Sequence, residues 1–228
     1  FLKGSSQMDV LISSGFLAFA RHLGFRKAFE SRHGQPDAIC GTSSGSVIGA
    51  LWAAGISIEQ CVQLTHVARP ILMLTPNLAF WKGAFRLDLL MQRLEPHLPQ
   101  CIEDLPMPFG VGVFDRQRQH KLLTSGPLVP ALAASCAIPY LFAPVKIGGV
   151  EYGDGGFVDR IGAQAWRKLR PDAQCVAHMV DRSNGAAEEV GLEDVTVVRT
   201  PRSFASFWSM GPYAEQLVEA EEMVLEQF

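Results

Sequence analysis

The sequence predicts an α/β protein built on a parallel sheet covered by helices, and three observations carry that reading. Residues 8–13 (MDVLIS) and 37–41 (DAICG) are short apolar runs, each followed by a stretch with helical spacing, and strand-then-helix order repeated in this way builds a parallel sheet. At 228 residues and 48% hydrophobic composition, the chain has the apolar side chains for the core of one domain spanning 1–228, and a second full domain would be cramped. The junction after the second run, Gly41-Thr42-Ser43-Ser44-Gly45, has the small residues that a sharp strand-to-helix turn needs.

Taken in order, the first strand is followed by residues 17–32, where Leu17, Ala20, Leu23, Ala28 and Phe29 fall at helical spacing. The turn between them is Ser14-Gly15-Phe16. A glycine there lets backbone N–H groups approach a ligand at a helix N-terminus, as in an oxyanion hole, although an ordinary connection looks the same in sequence. Residues 44–54 form a second helix ended by Gly55, and 58–68 form a third. Residues 70–91 (PILMLTPNLAFWKGAFRLDLLM) are irregular and rich in Leu, Met, Phe and Trp. These side chains are expected to fill core under a helical connection, against the alternative of a lid or lipid-facing patch beside a site.

Residues 109–115 and 120–124 read as an antiparallel hairpin around Arg116-Gln117-Arg118-Gln119. A short Ala-rich helix over 128–136 precedes Ile138-Pro139, which forces an extended path into a strand at 144–147. Gly148-Gly149 turns the chain back through 150–152 to Gly153-Asp154-Gly155-Gly156. A helix over 160–169, strands over 174–180 and 195–198 with a polar loop at 181–194, and an amphipathic C-terminal segment of about 26 residues complete the chain.

The charge balance excludes some functions. With 20 basic against 23 acidic residues, a net charge of -3 and no run of like charge, neither a nucleic-acid footprint nor a polybasic lipid patch is present. Five cysteines, at 40, 61, 101, 136 and 175, are odd in number and widely separated, which fits buried reduced thiols rather than disulfides. No Cys and His cluster has zinc-ligand spacing, so no structural metal is expected. Residues 1–7 lack the pattern of a signal peptide, and the longest weakly charged stretch, 128–150, holds Pro130, Pro139, Pro144 and Lys146, which argues against a spanning helix. The expectation is a cytoplasmic protein that touches membrane surfaces at most transiently.

The chemistry concentrates at two places. Ser43 lies in G-x-S-x-G with Gly41 and Gly45 flanking it, the pattern of a nucleophile elbow, in which the hydroxyl projects from a strand tip at a helix N-terminus. Chance alone yields this pattern in roughly one chain in eight of this composition, so its β/α context carries the weight. Asp154, flanked by three glycines that allow a sharp turn into a crowded site, is the partner for Ser43; alone it would read as an Asp-Gly turn. A Ser-Asp-His triad in chain order leaves only His178, which sits inside a predicted strand where a packed histidine is the competing reading. A two-residue Ser43-Asp154 device is the simplest arrangement. Burial must then raise the carboxyl from its usual pKa of about 3.9 for it to act as a base.

With both G-T-S-S-G and Y-G-D-G-G, the chain resembles the patatin-like phospholipases, whose elbow is G-x-S-x-G and whose aspartate lies in D-G-G or D-G-A. VLISSGFLAFARHLGFRKAFE is similar to that family's first strand, glycine-rich turn and helix, and AASCAIPYLFAPVKIGGVEYGDGG to its approach to the aspartate. The likeness runs from about Val10 to Ala165. It implies a three-layer α/β/α sandwich with a central, mainly parallel sheet, a Ser43-Asp154 dyad, and hydrolysis of acyl esters in lipids without a metal or other cofactor.

One departure bears on the chemistry. Where the family carries three glycines, a variable residue, a basic residue and a glycine, this chain has Ser14-Gly15-Phe16-Leu17-Ala18-Phe19, so Ala18 replaces the basic residue. By position, the N–H groups of Gly15 and Phe16 would form the oxyanion hole, with Phe16 in a backbone shape the family assigns to glycine. Arg160-Ile161-Gly162 also lacks a proline that the family often has there. A non-catalytic lipid-binding or regulatory protein that keeps the fold is the alternative reading.

Overall fold

In the computed structural model, which describes residues 7–182 and 191–228, the element order follows the strand-then-helix pattern. Strand β1 (Met8–Ile12) leads to helix α1 (Phe19–His33), and β2 (Ala38–Thr42) leads to α2 (Ser44–Ala53) and α3 (Ile58–Thr65). A two-residue pairing of β3 (Thr75–Pro76) with β4 (Phe85–Arg86) precedes α4 (Asp88–Leu94). The hairpin β5 (Phe109–Phe114) and β6 (His120–Leu123), helix α5 (Leu128–Ser135), strands β7 (Val145–Ile147) and β8 (Val150–Asp154) and helix α6 (Ala163–Leu169) follow. Strands β9 (Gln174–Val180) and β10 (Val195–Thr200) and helix α7 (Tyr213–Gln227) end the chain.

The main sheet runs β10-β9-β1-β2-β5-β8-β7, with β6 also on β5. The five strands from β10 to β5 are parallel, β6 and β8 run antiparallel to β5, and β7 pairs antiparallel with β8. Alternating side chains feed two cores, as the pleat requires. Val10, Ile12, Ile39 and Val176 pack with α1, α2, α5 and α7 on one face. Leu11, Ala38, Cys40, Cys175 and Ala177 pack against Trp166 of α6 on the other, giving three layers. Helix α6 is tied down by Asp9, a fully buried carboxylate of β1 that accepts from Trp166 Nε1 at 2.8 Å and from Arg170 Nε at 2.5 Å.

Sequence expectations need correction in four places. The stretch at 70–91 is only in part the core-filling helical connection expected: it has short helical turns at Pro70–Met73 and Phe80–Lys82 and the start of α4, and Leu87, Leu90 and Met91 are core, but Leu78 is 96% exposed and Phe80 and Trp81 stand out beside it. The strand pairing there leaves the tip with nothing to pack on. The helix expected at 160–169 starts at Ala163, because Gly162 is left-handed (φ 69°). The C-terminal amphipathic segment is helical only from Tyr213. The glycine-like backbone expected at Phe16 falls one residue later, on Leu17 (φ 49°). Residues 1–6 of the N-terminal segment and residues 183–190 of the 181–194 loop lie outside the described residues.

Helix α7 lies against α1 with backbone nearly touching backbone: a Cβ on Gly24 would stand 2.3 Å from the Leu217 carbonyl oxygen and 2.7 Å from Ala220 Cβ. A carbonyl inside a helix cannot swing aside, so the clash outweighs the gain of about 1 kcal/mol that alanine has over glycine in a helix. Gly24→Ala is therefore expected to destabilise the protein by about 1–3 kcal/mol. The measurement is the urea midpoint, which falls while the slope of the transition stays constant.

Candidate active site

The site forms at the carboxyl ends of the parallel strands, beside the point where strand order reverses between β1 and β9, the usual crevice of an open α/β sheet. Ser43 follows β2 directly and precedes α2, with φ 54° and ψ -126°. That is a strained backbone for a non-glycine residue, costing on the order of 1–3 kcal/mol, and it persists because its surroundings hold it. The Ser43 N–H donates to Ser135 Oγ at 2.8 Å, whose hydroxyl donates to the Gly112 carbonyl at 2.7 Å. Gly41 and Gly45 make the turn sterically feasible: a Cβ on Gly41 would lie 2.5 Å from the Gly45 oxygen, and one on Gly45 would lie 2.4 Å from the Ile12 oxygen.

Asp154 reaches Ser43 through strand register. Thr42 is paired with Gly112 on one edge of β5, while Leu122 and Lys121 of β6 occupy the other edge. The next residue of β5, Val113, pairs with Asp154. Strand β8 thus takes over the edge of β5 where β2 leaves it, and the last residue of β8 stands beside the first residue past β2. Ser43 Oγ donates to Asp154 Oδ2 at 2.8 Å, and the Gly156 N–H donates to Oδ1 at 2.8 Å. Burial raises the Asp154 pKa to about 7, against the opposing pull of these two hydrogen bonds and of the Arg182 charge.

His178 is not part of this pair. It is fully buried in β9, with Nδ1 3.0 Å from His22 Nδ1 and Nε2 2.9 Å from Thr200 Oγ1. Both ring nitrogens are thereby occupied, and neither meets Asp154, so the Ser43-Asp154-His178 alternative lacks its hydrogen bond. Gly15 and Phe16 line the same cavity as Ser43 and Asp154. This cavity of about 570 Å³ is walled mainly by apolar side chains, among them Leu74, Leu87, Phe142 and Phe207. Sequence reading missed Ser135 and Arg160. Arg160 donates through Nη2 to the carbonyls of Ser14 at 2.9 Å and Val180 at 2.5 Å. No motif marks either residue, because each acts on backbone distant in sequence. All five cysteines are free, and Cys136 lines the cavity, its thiol pushed up by burial and then by the Asp154 charge. Among the described residues no cluster of His, Cys, Asp and Glu could hold a metal ion, and no helix is long and apolar enough to cross a membrane.

Sheet and site together define a three-layer α/β/α protein with a serine at a strand-to-helix elbow in contact with a buried aspartate. The sequence profile of the patatin-like phospholipases matches residues 10–165, and the chain belongs to that family. An uncharacterized NTE family protein of Mycobacterium bovis and one of Mycobacterium tuberculosis are each 29% identical to it over 169 residues. That match takes in 69% of this chain and 45% of each relative, so the chain spans less than half of their length. VipD from Legionella pneumophila superposes with a TM-score of 0.61 at 12% identity, over 98% of this chain and 67% of VipD. The type III effector protein ExoU gives 0.58 at 12% identity, over 97% of this chain and 52% of ExoU. At such identity these two structures speak to fold alone.

The raised pKa of Asp154 makes a statement about stability. Its ordinary value is 3.8 and its folded value about 7, so burying it costs nothing below pH 4, where it is neutral in both states. Stability is then lost progressively as pH rises from about 4 through about 7, where folding must take up a proton to keep the carboxyl neutral, and the loss levels off above that at a total on the order of 4 kcal/mol. Asp154→Asn, which keeps the volume and accepts from Gly156, is expected to match wild type at pH 4 and exceed its thermal midpoint at pH 8. The check is thermal unfolding of both proteins across that range.

Proposed function

We propose that this chain is a lipid acyl hydrolase of the phospholipase A or lysophospholipase type, with Ser43 as nucleophile and Asp154 as general base and acid. The observation that carries the reading is the 2.8 Å hydrogen bond from Ser43 Oγ to the buried Asp154 carboxylate, inside an apolar cavity of a size suited to an acyl chain. Asp154 takes the Ser43 proton as Oγ attacks the ester carbon, and the N-terminus of α2 favours the charge developing on that oxygen. The tetrahedral oxyanion accepts from the N–H groups of Gly15 and Phe16. As the intermediate collapses, Asp154 returns the proton to the departing alcohol. A water molecule, deprotonated by Asp154, then releases the fatty acid and restores Ser43.

A base with a pKa near 7 serves this cycle better than an ordinary aspartate, because it accepts a proton readily at neutral pH. The same shift sets the pH profile: below about 7 Asp154 is protonated and unable to act as base. With 4-nitrophenyl butyrate, kcat/KM is expected to climb about tenfold per pH unit below 7 and to level off above it. Ser43→Ala should abolish turnover and labelling by a fluorophosphonate probe. Undiminished turnover in that variant would sink the dyad, and a wild-type protein inert to ester and probe would favour the non-catalytic lipid-binding reading.

The exposed tip between β3 and β4 is the surface we assign to membrane contact. Leu78, Phe80 and Trp81 are between 72% and 96% exposed, with Lys82 following them. The hairpin is hydrogen-bonded to the segment carrying Tyr140, Leu141 and Ala143, next to Phe142 in the cavity wall. Aromatic rings with a neighbouring lysine suit the boundary between headgroups and acyl chains. Replacing Phe80 and Trp81 together by alanine should weaken binding to phosphatidylcholine vesicles by at least about tenfold. Turnover of the water-soluble ester should stay within about twofold, and unchanged vesicle binding would remove the assignment.

A further inference from the structure

Two features remain unused by the chemistry above: a buried chain of polar side chains that joins three elements, and the arginine behind the first turn. Thr200 Oγ1, His178, His22 and Ser44 Oγ form a continuous line of contacts of 2.9, 3.0 and 3.0 Å, ending on the Gly15 carbonyl, 2.6 Å from Ser44 Oγ. All four side chains are at least 97% buried. The His178 ring stacks on Phe25 at 4.6 Å and meets His22 edge-on at 5.0 Å, so neither ring is free to turn.

The direction of every proton in this line follows from its last member. A carbonyl oxygen only accepts, so the Ser44 hydroxyl donates to Gly15 and must itself accept from His22 Nε2. Burial, with the Arg160 charge adding to it, pushes His22 down to about 3, and burial drives His178 well below the usual histidine range, so both rings are neutral. A neutral His22 that donates through Nε2 accepts at Nδ1, which makes His178 the donor through its own Nδ1. His178 Nε2 then accepts from the Thr200 hydroxyl. One arrangement satisfies all four side chains.

Its end point matters because a peptide unit is planar and trans, with C=O and N–H pointing in opposite directions. Holding the Gly15 oxygen aims the Phe16 N–H, and holding the Ser14 oxygen aims the Gly15 N–H. Ser44 does the first at 2.6 Å, joined by the Ala18 N–H, which donates to the same oxygen at 3.3 Å. Arg160 Nη2 does the second, at 2.9 Å from the Ser14 oxygen. Ser203 Oγ holds the next anchored carbonyl, that of Leu17, at 3.3 Å. Among the described residues, no backbone or side-chain acceptor takes the N–H of Gly15 or Phe16, and both residues line the cavity with Ser43.

We propose that Ser44, backed by His22, His178 and Thr200, and Arg160 are positioning residues that hold the Gly15 and Phe16 peptides in donor orientation toward the oxyanion formed at Ser43. The proposal rests on the reading of Ser43 as nucleophile. It explains how a turn with one glycine and no basic residue at position 18 supports such a site: side chains outside the turn supply the rigidity.

The test combines kinetics with imidazole 15N NMR on the wild-type chain. Removing an oxyanion donor outright costs about a hundredfold to a thousandfold in kcat, and a donor left in place but unaimed costs less. Ser44→Ala is expected to lower kcat for 4-nitrophenyl butyrate about tenfold to a hundredfold with KM within about twofold, Ser44→Thr to recover most of the loss, and Thr200→Val to lower kcat more weakly. The spectra should show His22 protonated on Nε2, His178 on Nδ1, and neither ring charged between pH 5 and pH 9. Wild-type kcat in Ser44→Ala, or any other tautomer pair, overturns the positioning role while Ser43 chemistry stands. Absence of turnover in the wild-type chain, with Ser43→Ala no different, overturns the nucleophile reading and the positioning role together.

Discussion

The site depends on one constraint of strand pairing: β2 ends at Thr42 and surrenders its edge of β5 to β8 at the next residue. Had β2 continued for two more residues, Ser43 would lie in the sheet and Asp154 would have no place to enter. Because β2 stops, its carboxyl end opens onto a helix N-terminus, while β8, arriving antiparallel, presents its last side chain to the same spot. Ser43 and Asp154 are 111 residues apart in sequence and in contact because both occupy the edge of one strand. The Ser135 hydroxyl, which bridges the Ser43 N–H and the Gly112 carbonyl, fastens the elbow to that strand.

This placement sets stability against chemistry. A carboxylate 4% exposed and a serine with positive φ each raise the free energy of the folded state. The cost is carried by the two cores that alternate side chains deliver to the faces of the sheet, and by the close crossing of α1 and α7. Rigidity is concentrated where the strain is. The turn after β1 is held at three successive anchored carbonyls by Arg160, Ser44 and Ser203, none of which belongs to the turn.

Much of this was legible in the chain because some local demands leave few choices of residue. Gly41 and Gly45 stand where any side chain would strike backbone, so the elbow is written in five consecutive residues. The parallel half of the sheet could be read from apolar runs alternating with helical spacing. The buried line from Thr200 to Ser44 could not. His22 and His178 lie 156 residues apart, each within an apolar stretch whose periodicity treats a histidine as one more interior position. The exposure of Leu78, Phe80 and Trp81 was legible only as the alternative to core packing, since apolar composition records the side chains available for burial and says nothing of whether a two-residue pairing gives them a surface to cover. The positive φ at Leu17 rather than Phe16 could not be read from the sequence either, nor could the edge-on contact of the Phe16 ring with Phe207 at 5.1 Å, which comes from the far end of the chain.

The hairpin tip has a consequence away from any substrate. A molecule that keeps Leu78, Phe80 and Trp81 in water, beside other exposed apolar side chains such as Tyr140, Phe204 and Trp208, is itself an amphiphile. In dilute buffer the tip contributes to colloidal behaviour: retention on phenyl resins, adsorption at air bubbles and plastic walls, and sensitivity of yield to mild detergent all grow with exposed apolar side chain.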